Sequence, residues 1–324
     1  VIMAKGFGTL RSDNDKKVDE NTLFGIASNT KAFTSAGIAL LVDEGKLDWD
    51  DKVVKHLPYF ELYDPYVTEN MTIRDLLCHR SGLKTFSGDL LWYGTNYSRE
   101  EVVRKASKLE PAYAFRTTFG YSNISFLTAG LIIEQVTGKS YDEFIQERFF
   151  KPLNMQRSNT SITAFGEDKN IASPHIYYNG NVMPINYLNW DNVAPAGSIN
   201  SSIADMLNWV KMHLNNGVYN QDTLISGKSH NEMWKPQTIQ EISNWEQQMF
   251  PSTHFLTYAL GWETFDYHGR KIVTHNGGLD GMISQVIMVP EEKLGFVIFT
   301  NSASSLTFVS MYYLLDMFLN EFHH

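Results

Sequence analysis

Cysteine is almost absent from this sequence. The one copy among 324 residues, Cys78, excludes an internal disulfide and any cysteine-built zinc cage, leaves the redox compartment open, and suits a small buried filler. Long apolar runs are absent too: none reaches the roughly 18 residues that span a bilayer, and the chain opens on Val1 with no charged leader or signal-like stretch. The start reads as truncated or processed. Positive charge is in deficit, with 27 Lys and Arg against 36 Asp and Glu, a formal net charge of -9 and a sequence pI near 5.6. Such a surface repels phosphate backbones, and no basic stripe interleaved with aromatics offsets it, so nucleic acid is not an expected partner. Repeats and low-complexity segments are missing as well.

What is present is a globular balance, 43% hydrophobic and 19% charged residues, in a chain long enough for one large domain with an insertion or for two lobes. A strand is expected over 1–4 and a helix over 31–42, the helix apolar on nearly every face and therefore central. Helices at 72–78, 100–108, 124–136 and 141–150 follow, then one at 203–215. The signal changes to consecutive strands at 258–264, 270–275, 282–289 and 295–301, and an amphipathic helix closes the pattern at 305–322. The final His323 and His324, native or a tag remnant, carry no functional weight. This order predicts an α/β (α+β) fold, an antiparallel sheet flanked by helices and assembled from both chain ends, residues 1–46 and 196–324, with a mostly helical lobe, residues 47–195, inserted between them.

Several chemistries lack their signatures: there is no G-x-S-x-G elbow, no H-E-x-x-H and no P-loop, and Gly6-Phe7-Gly8 lacks the third glycine of a dinucleotide fingerprint. The histidines show no metal-ligand spacing, so neither a metal nor an organic cofactor is expected, and His79 reads as a structural loop histidine. One pattern does point to nucleophilic catalysis. S-x-x-K occurs as Ser28-Asn29-Thr30-Lys31 and as Ser81-Gly82-Leu83-Lys84. Only the first opens a helix, where the i to i+3 spacing sets the Lys amine over the Ser hydroxyl and unpaired first-turn N–H groups face a developing oxyanion. The alternative makes Ser28 a helix cap and Lys31 a surface charge. Against it, a cation in the first turn opposes the helix dipole. Burial there would lower the pKa of Lys31 and make neutral amine available as a base.

Tyr-x-Asn occurs at Tyr121-Ser122-Asn123, Tyr177-Tyr178-Asn179 and Tyr187-Leu188-Asn189. The first sits between a glycine and a strongly periodic helix, so Tyr121 can share a proton with Ser28 and Lys31; the alternative is that Asn123 caps the helix and Tyr121 merely packs. His275-Asn276-Gly277 ends the strand at 270–275. It reads either as a hairpin turn or as a strand edge whose glycines let substrate approach, with the N–H of Gly278 joining that of Ser28 in an oxyanion hole.

In the order S-x-x-K, Y-x-N, H-x-G the sequence resembles the class C β-lactamase-like serine hydrolases, a family that includes penicillin-binding peptidases, D-aminopeptidases and esterases. The likeness extends to Gly45-Lys46-Leu47 with Asp50, Asp51 and Pro58, to the 79–83 loop, to the run YSNISFLTAGLIIEQVTGKSYDEFIQERFFKPLNM, to PAGSINSSIADMLNW and to Gly261-Trp262. The resemblance implies that Ser28 is acylated, that Lys31 and Tyr121 handle its proton, that Asn123 orients the substrate amide and that His275 lines the site. It also implies export, and a helix and strand preceding Val1. One departure bears on substrate: lactamases and D,D-peptidases of the family usually carry Lys where His275 stands, to attract a carboxylate. Histidine gives a weaker, pH-dependent pull. Esters or small amides and peptides therefore rank above the alternatives, a β-lactam or a D-Ala-D-Ala peptide. A catalytically idle scaffold is the rival from another class. Loops 86–96 and 188–193 are expected to wall a pocket for a small-molecule or peptide substrate, and the oligomeric state is open.

Overall fold

The computed structural model describes residues 1–319. Its centre is a six-stranded antiparallel sheet made of β1 (Thr238–Gln240), β2 (Leu256–Tyr258), β3 (Glu263–Tyr267), β4 (Arg270–Leu279), β5 (Met282–Val289) and β6 (Leu294–Thr300), in simple meander order. Short turns join the neighbours from β2 to β6, as antiparallel strands allow, while the link from β1 to β2 carries a short helix, Asn244–Met249. Helices α1 (Thr30–Asp43), α2 (Asn123–Thr137), α3 (Ile203–Leu214) and α4 (Leu306–Leu319) are the long ones, and shorter helices fill the region between α1 and α3. The predicted fold class therefore holds. The last predicted helix continues to 322, and those final residues lie outside the described ones.

Three expectations need correction. The sheet is not assembled from both chain ends: residues 1–4 are exposed coil, and the only N-terminal strand, Phe24–Gly25, pairs with Asn200–Ser201 in a separate ladder. An apolar run of that length has a strand's composition but finds no sheet edge to pair with, so composition alone misleads. Second, Asn276-Gly277 is neither the strand's end nor its turn. The strand runs on through Leu279, which pairs with Met282, and the hairpin is closed by Asp280-Gly281. The predicted strand at 258–264 is likewise two strands separated by a turn.

Helix α1 explains the depth of the site. From Thr30 to Leu41 every residue is buried, Lys31 included. It shares one core with α2, α3 and the sheet, and Phe33 stacks on Trp209 of α3 at 3.7 Å between ring centroids. The opposite face of the sheet is covered by α4 through a second cluster, Phe265, Ile272, Ile287, Met311 and Leu315. Burying both faces of the sheet leaves only its rim beside α1 open to a ligand. The main core contains side chains from both parts of the expected partition, 1–46 with 196–324 and 47–195.

Candidate active site

Ser28 lies inside a 3-10 turn, Ala27–Asn29, that feeds α1. The cap positions, Ile26 and Asn29, carry no side-chain capping bond, so the hydroxyl of Ser28 is not spent on closing the helix. Ala27 before it is fully buried and held at φ +47°, a conformation that costs an L-residue on the order of 1 kcal/mol or more and that clusters at functional sites. The turn is tied to the sheet by Ser284 of β5, whose hydroxyl donates to Ile26 O at 2.6 Å and accepts from Asn29 Nδ2 at 2.8 Å. On its other side runs Gly277 of β4. A Cβ on Gly277 would stand 2.2 Å from Ile26 O and 3.0 Å from Ser28 N, so only glycine permits this approach of strand to turn.

Lys31 is fully buried one helical turn on, and its Nζ meets three oxygens: Asn123 Oδ1 at 2.7 Å, Ala196 O at 2.9 Å and Ser28 Oγ at 3.1 Å. Burial holds its pKa well below the usual lysine range, with the carboxylate of Asp89 pulling the other way. A neutral amine has two hydrogens and one lone pair. The amide and backbone carbonyls can only accept, so they take the two hydrogens, and the lone pair is left facing the Ser28 hydroxyl. That is the arrangement of a general base.

Tyr121 covers this group from the loop before α2. Its ring lies 4.6 Å from Lys31 Nζ, burial raises its pKa well above the ordinary phenol, and a hydrogen bond with Ser28 opposes that rise. The phenol keeps its proton, so Lys31 and not a tyrosinate is the base the site offers. Asn123 does not cap α2; Ser122 does, accepting from Ser125 N at 3.2 Å, which frees the Asn123 amide for Lys31. Its other end is held by Asp89, whose two oxygens accept from Nδ2 at 3.2 and 3.0 Å.

His275 is buried, with ring centroids 6.5 Å from Tyr121. Its Nδ1 lies 2.5 Å from Asn276 O, which can only accept, so the proton sits on Nδ1 and Nε2 accepts from the Tyr258 hydroxyl at 2.8 Å. Burial, then the nearby Lys31, lower its pKa to about 3. This corrects the expected pH-dependent pull: His275 is neutral throughout the physiological range and has no free donor. Gly278 is exposed beside the turn. His79 is the structural residue expected: it is buried at φ +57°, accepts from Ser122 N at 3.0 Å through Nδ1, and packs on Tyr121 and Tyr258.

The structure thus brings Ser28, Lys31, Tyr121, Asn123, His275, Gly277 and Gly278 to one rim. The competing matches lie elsewhere: Lys84 is exposed and Ser81 accepts from Leu83 N, Tyr177 is exposed on a hairpin, and Tyr187 donates to Ala172 O. Asp89, Tyr258 and Ser284 were missed. None belongs to a motif, although Asp89 falls in the 86–96 loop singled out for the pocket wall. Clefts beside the rim are indeed lined from both expected loops, by Tyr93 and Gly94 and by Leu188, Trp190 and Asp191. Among the described residues no three His, Cys, Asp or Glu side chains converge as a metal would require, and no helix is long and apolar enough to cross a membrane.

An antiparallel sheet with a Ser-Lys pair at the head of a buried central helix defines a β-lactamase/transpeptidase-like fold. The Beta-lactamase family model matches residues 1–316, and the chain belongs to that family. It is 31% identical over 310 residues to the unguisins hydrolase ungD' of Aspergillus campestris, covering 92% of this chain and 55% of that protein. It is 29% identical over 303 residues to protein flp of Staphylococcus aureus, covering 93% and 57%. The chain therefore spans little more than half the length of these curated relatives. Among solved structures, the octameric penicillin-binding protein homologue from Pyrococcus abyssi superposes with a TM-score of 0.85 at 27% identity, over 99% of this chain and 71% of that one. The D-amino acid amidase from Ochrobactrum anthropi shares the fold, with a TM-score of 0.72 at 23% identity over 91% and 81%.

Proposed function

We propose that this chain hydrolyses esters, or small amides and peptides, through an acyl-enzyme on Ser28. The observation that carries this is the buried Lys31 Nζ, its pKa held well below the usual lysine range, standing 3.1 Å from Ser28 Oγ. Lys31 takes the hydroxyl proton as Oγ attacks the substrate carbonyl. Tyr121, protonated and hydrogen-bonded to Ser28, passes a proton to the leaving group and is restored through Lys31. The N–H groups of Ser28 and Gly278 receive the oxyanion where the strand approaches the turn. Water then releases the acyl group by the reverse proton path.

Charge around the site ranks the substrates. His275 is neutral with both nitrogens engaged, and the residues lining the adjoining clefts include Asp191 and Asp280 with no Lys or Arg. Nothing there draws a substrate carboxylate, so penicillins and peptide C-termini rank below uncharged acyl donors. The Aspergillus relative's description as a hydrolase agrees with this chemistry.

A fluorophosphonate should label the wild type at Ser28 and leave Ser28→Ala unlabelled; equal labelling of both would remove Ser28 from the mechanism. A nitrophenyl ester, D-amino-acid anilides and a chromogenic cephalosporin rank the substrates. Silence on all three with concentration-dependent assembly in light scattering would favour the idle scaffold.

A further inference from the structure

The base depends on which end of the Asn123 amide faces Lys31. With Oδ1 toward Nζ, one amine hydrogen is taken and the lone pair remains for Ser28. With the amide turned over, Nδ2 would donate into that same lone pair and quench the base. Lys31 alone cannot choose, because an amine accepts as readily as it donates.

We propose that Asp89 is the positioning residue that makes this choice, and that through Asn123 it aims the lone pair of Lys31 at Ser28. A carboxylate only accepts, so Nδ2 is the only end of the amide it can hold; turning the amide would set Oδ1 against both carboxylate oxygens. The carboxylate is itself fixed. Trp92 Nε1 donates to Asp89 Oδ1 at 2.9 Å, and Trp92 O in turn accepts from Asn192 Nδ2 at 2.9 Å, which ties the loop to the segment after residue 188. Asp89 opens a 3-10 turn directly after Gly88, which stands at φ +83° with the space for a Cβ taken by Ile124 and Leu109. The loop therefore enters the site in one conformation. Burial raises the pKa of Asp89, and the bonds from Trp92 and Asn123 oppose that rise and favour the ionised form. The anion acts back on Lys31 by raising its pKa, so one carboxylate both orients the base and moderates its strength.

This inference rests on Ser28 being the nucleophile and Lys31 its base, and the test separates the two. The rate of fluorophosphonate acylation and kcat/KM on a nitrophenyl ester are measured from pH 5 to 9 for wild type, Asp89→Ala, Asp89→Asn, Asn123→Ala and the double variant Asp89→Ala with Asn123→Ala. Misaiming the base should slow Asp89→Ala about 100-fold, mostly in kcat. In Asp89→Asn the new carbonyl still accepts from Nδ2 and the charge is gone. It should stay within about tenfold of wild type, the scale of a single uncharged hydrogen-bond substitution, with the acidic limb of its profile moved to lower pH. The double variant should be no slower than Asn123→Ala alone, because the two act as one unit. Asp89→Ala within about twofold of wild type, or losses that multiply in the double variant, would overturn the proposal. So would equal losses in Ala and Asn variants with an unmoved acidic limb, the mark of a purely structural residue. If Asp89→Ala fails to fold by circular dichroism, Asp89→Asn and its pH profile carry the test. A wild type unlabelled at Ser28 refutes the nucleophile reading itself, a result distinct from all of these.

Discussion

Two buried polar clusters flank α1, and only one of them sets a base against a nucleophile. At its head Lys31, Tyr121, Asn123 and Asp89 surround Ser28. Farther along, where Phe33 meets Trp209, His213 and His230 bond ring to ring at 3.0 Å among Trp209, Trp234 and Trp262. Burial does the same thing in both: it holds the pKa of Lys31 and of His213 well below their ordinary values and brings that of His230 to about 4. The difference is in where hydrogen bonds point. Both hydrogens of Lys31 have carbonyl acceptors and its lone pair has a nucleophile. In the histidine pair, His213 Nε2 and His230 Nδ1 have no partner among the described residues, nor do the indole nitrogens of Trp234 and Trp262. Desolvation makes a base; directed acceptors aim it.

Lys31→Met tests that distinction most severely. It keeps volume and burial and removes the lone pair, so ester hydrolysis should fall by about a thousandfold or more, while a thermal melt stays cooperative. A loss under tenfold would mean that the two clusters differ less than their geometry implies.

The histidine pair should show itself in stability instead of rate. Unfolded histidine binds protons below about pH 6.5, whereas folded His230 does not until about 4 and His275 until about 3. Between these values the unfolded state holds more protons, so stability is full above about pH 6.5 and falls as the pH drops toward 4. His230→Gln should flatten this fall by on the order of 3 kcal/mol across the window, at 1.36 kcal/mol per pKa unit. Urea midpoints at pH 7, 5.5 and 4.5 measure it; an unchanged slope would show that His230 is charged in the folded protein.

The smallest effect is expected from Tyr258→Phe, which removes the hydrogen bond to His275 Nε2 without touching Ser28. It should cost about 1 kcal/mol in stability and change kcat severalfold at most. A loss as large as that of Lys31→Met would move Tyr258 into the catalytic group.

Much of this site was legible because it is carried by local spacing. Lys31 stands three positions after Ser28 and Asn123 two after Tyr121, and each motif borders a helix whose apolar period is unmistakable. Asp89, Tyr258 and Ser284 were not legible. Asp89 lies 34 residues from Asn123, Tyr258 lies 17 from His275, and Ser284 lies 258 from Ile26. No spacing rule covers such distances, and an aspartate in a loop has many uses. The strand expected at residues 1–4 failed for a related reason, since a strand exists only where a partner edge is available.

The sequence by itself determined the long helices and the Ser28–Lys31 pair at the head of one of them, because helical period and the i to i+3 relation are local geometry. Tertiary structure alone decided what those groups are. Burial sets the charge of Lys31 and His275, and hydrogen-bond direction, from Asp89 through Asn123 and from Tyr258 to His275, sets which lone pair is free. Both depend on which distant segments the core brings within about 3 Å of one another.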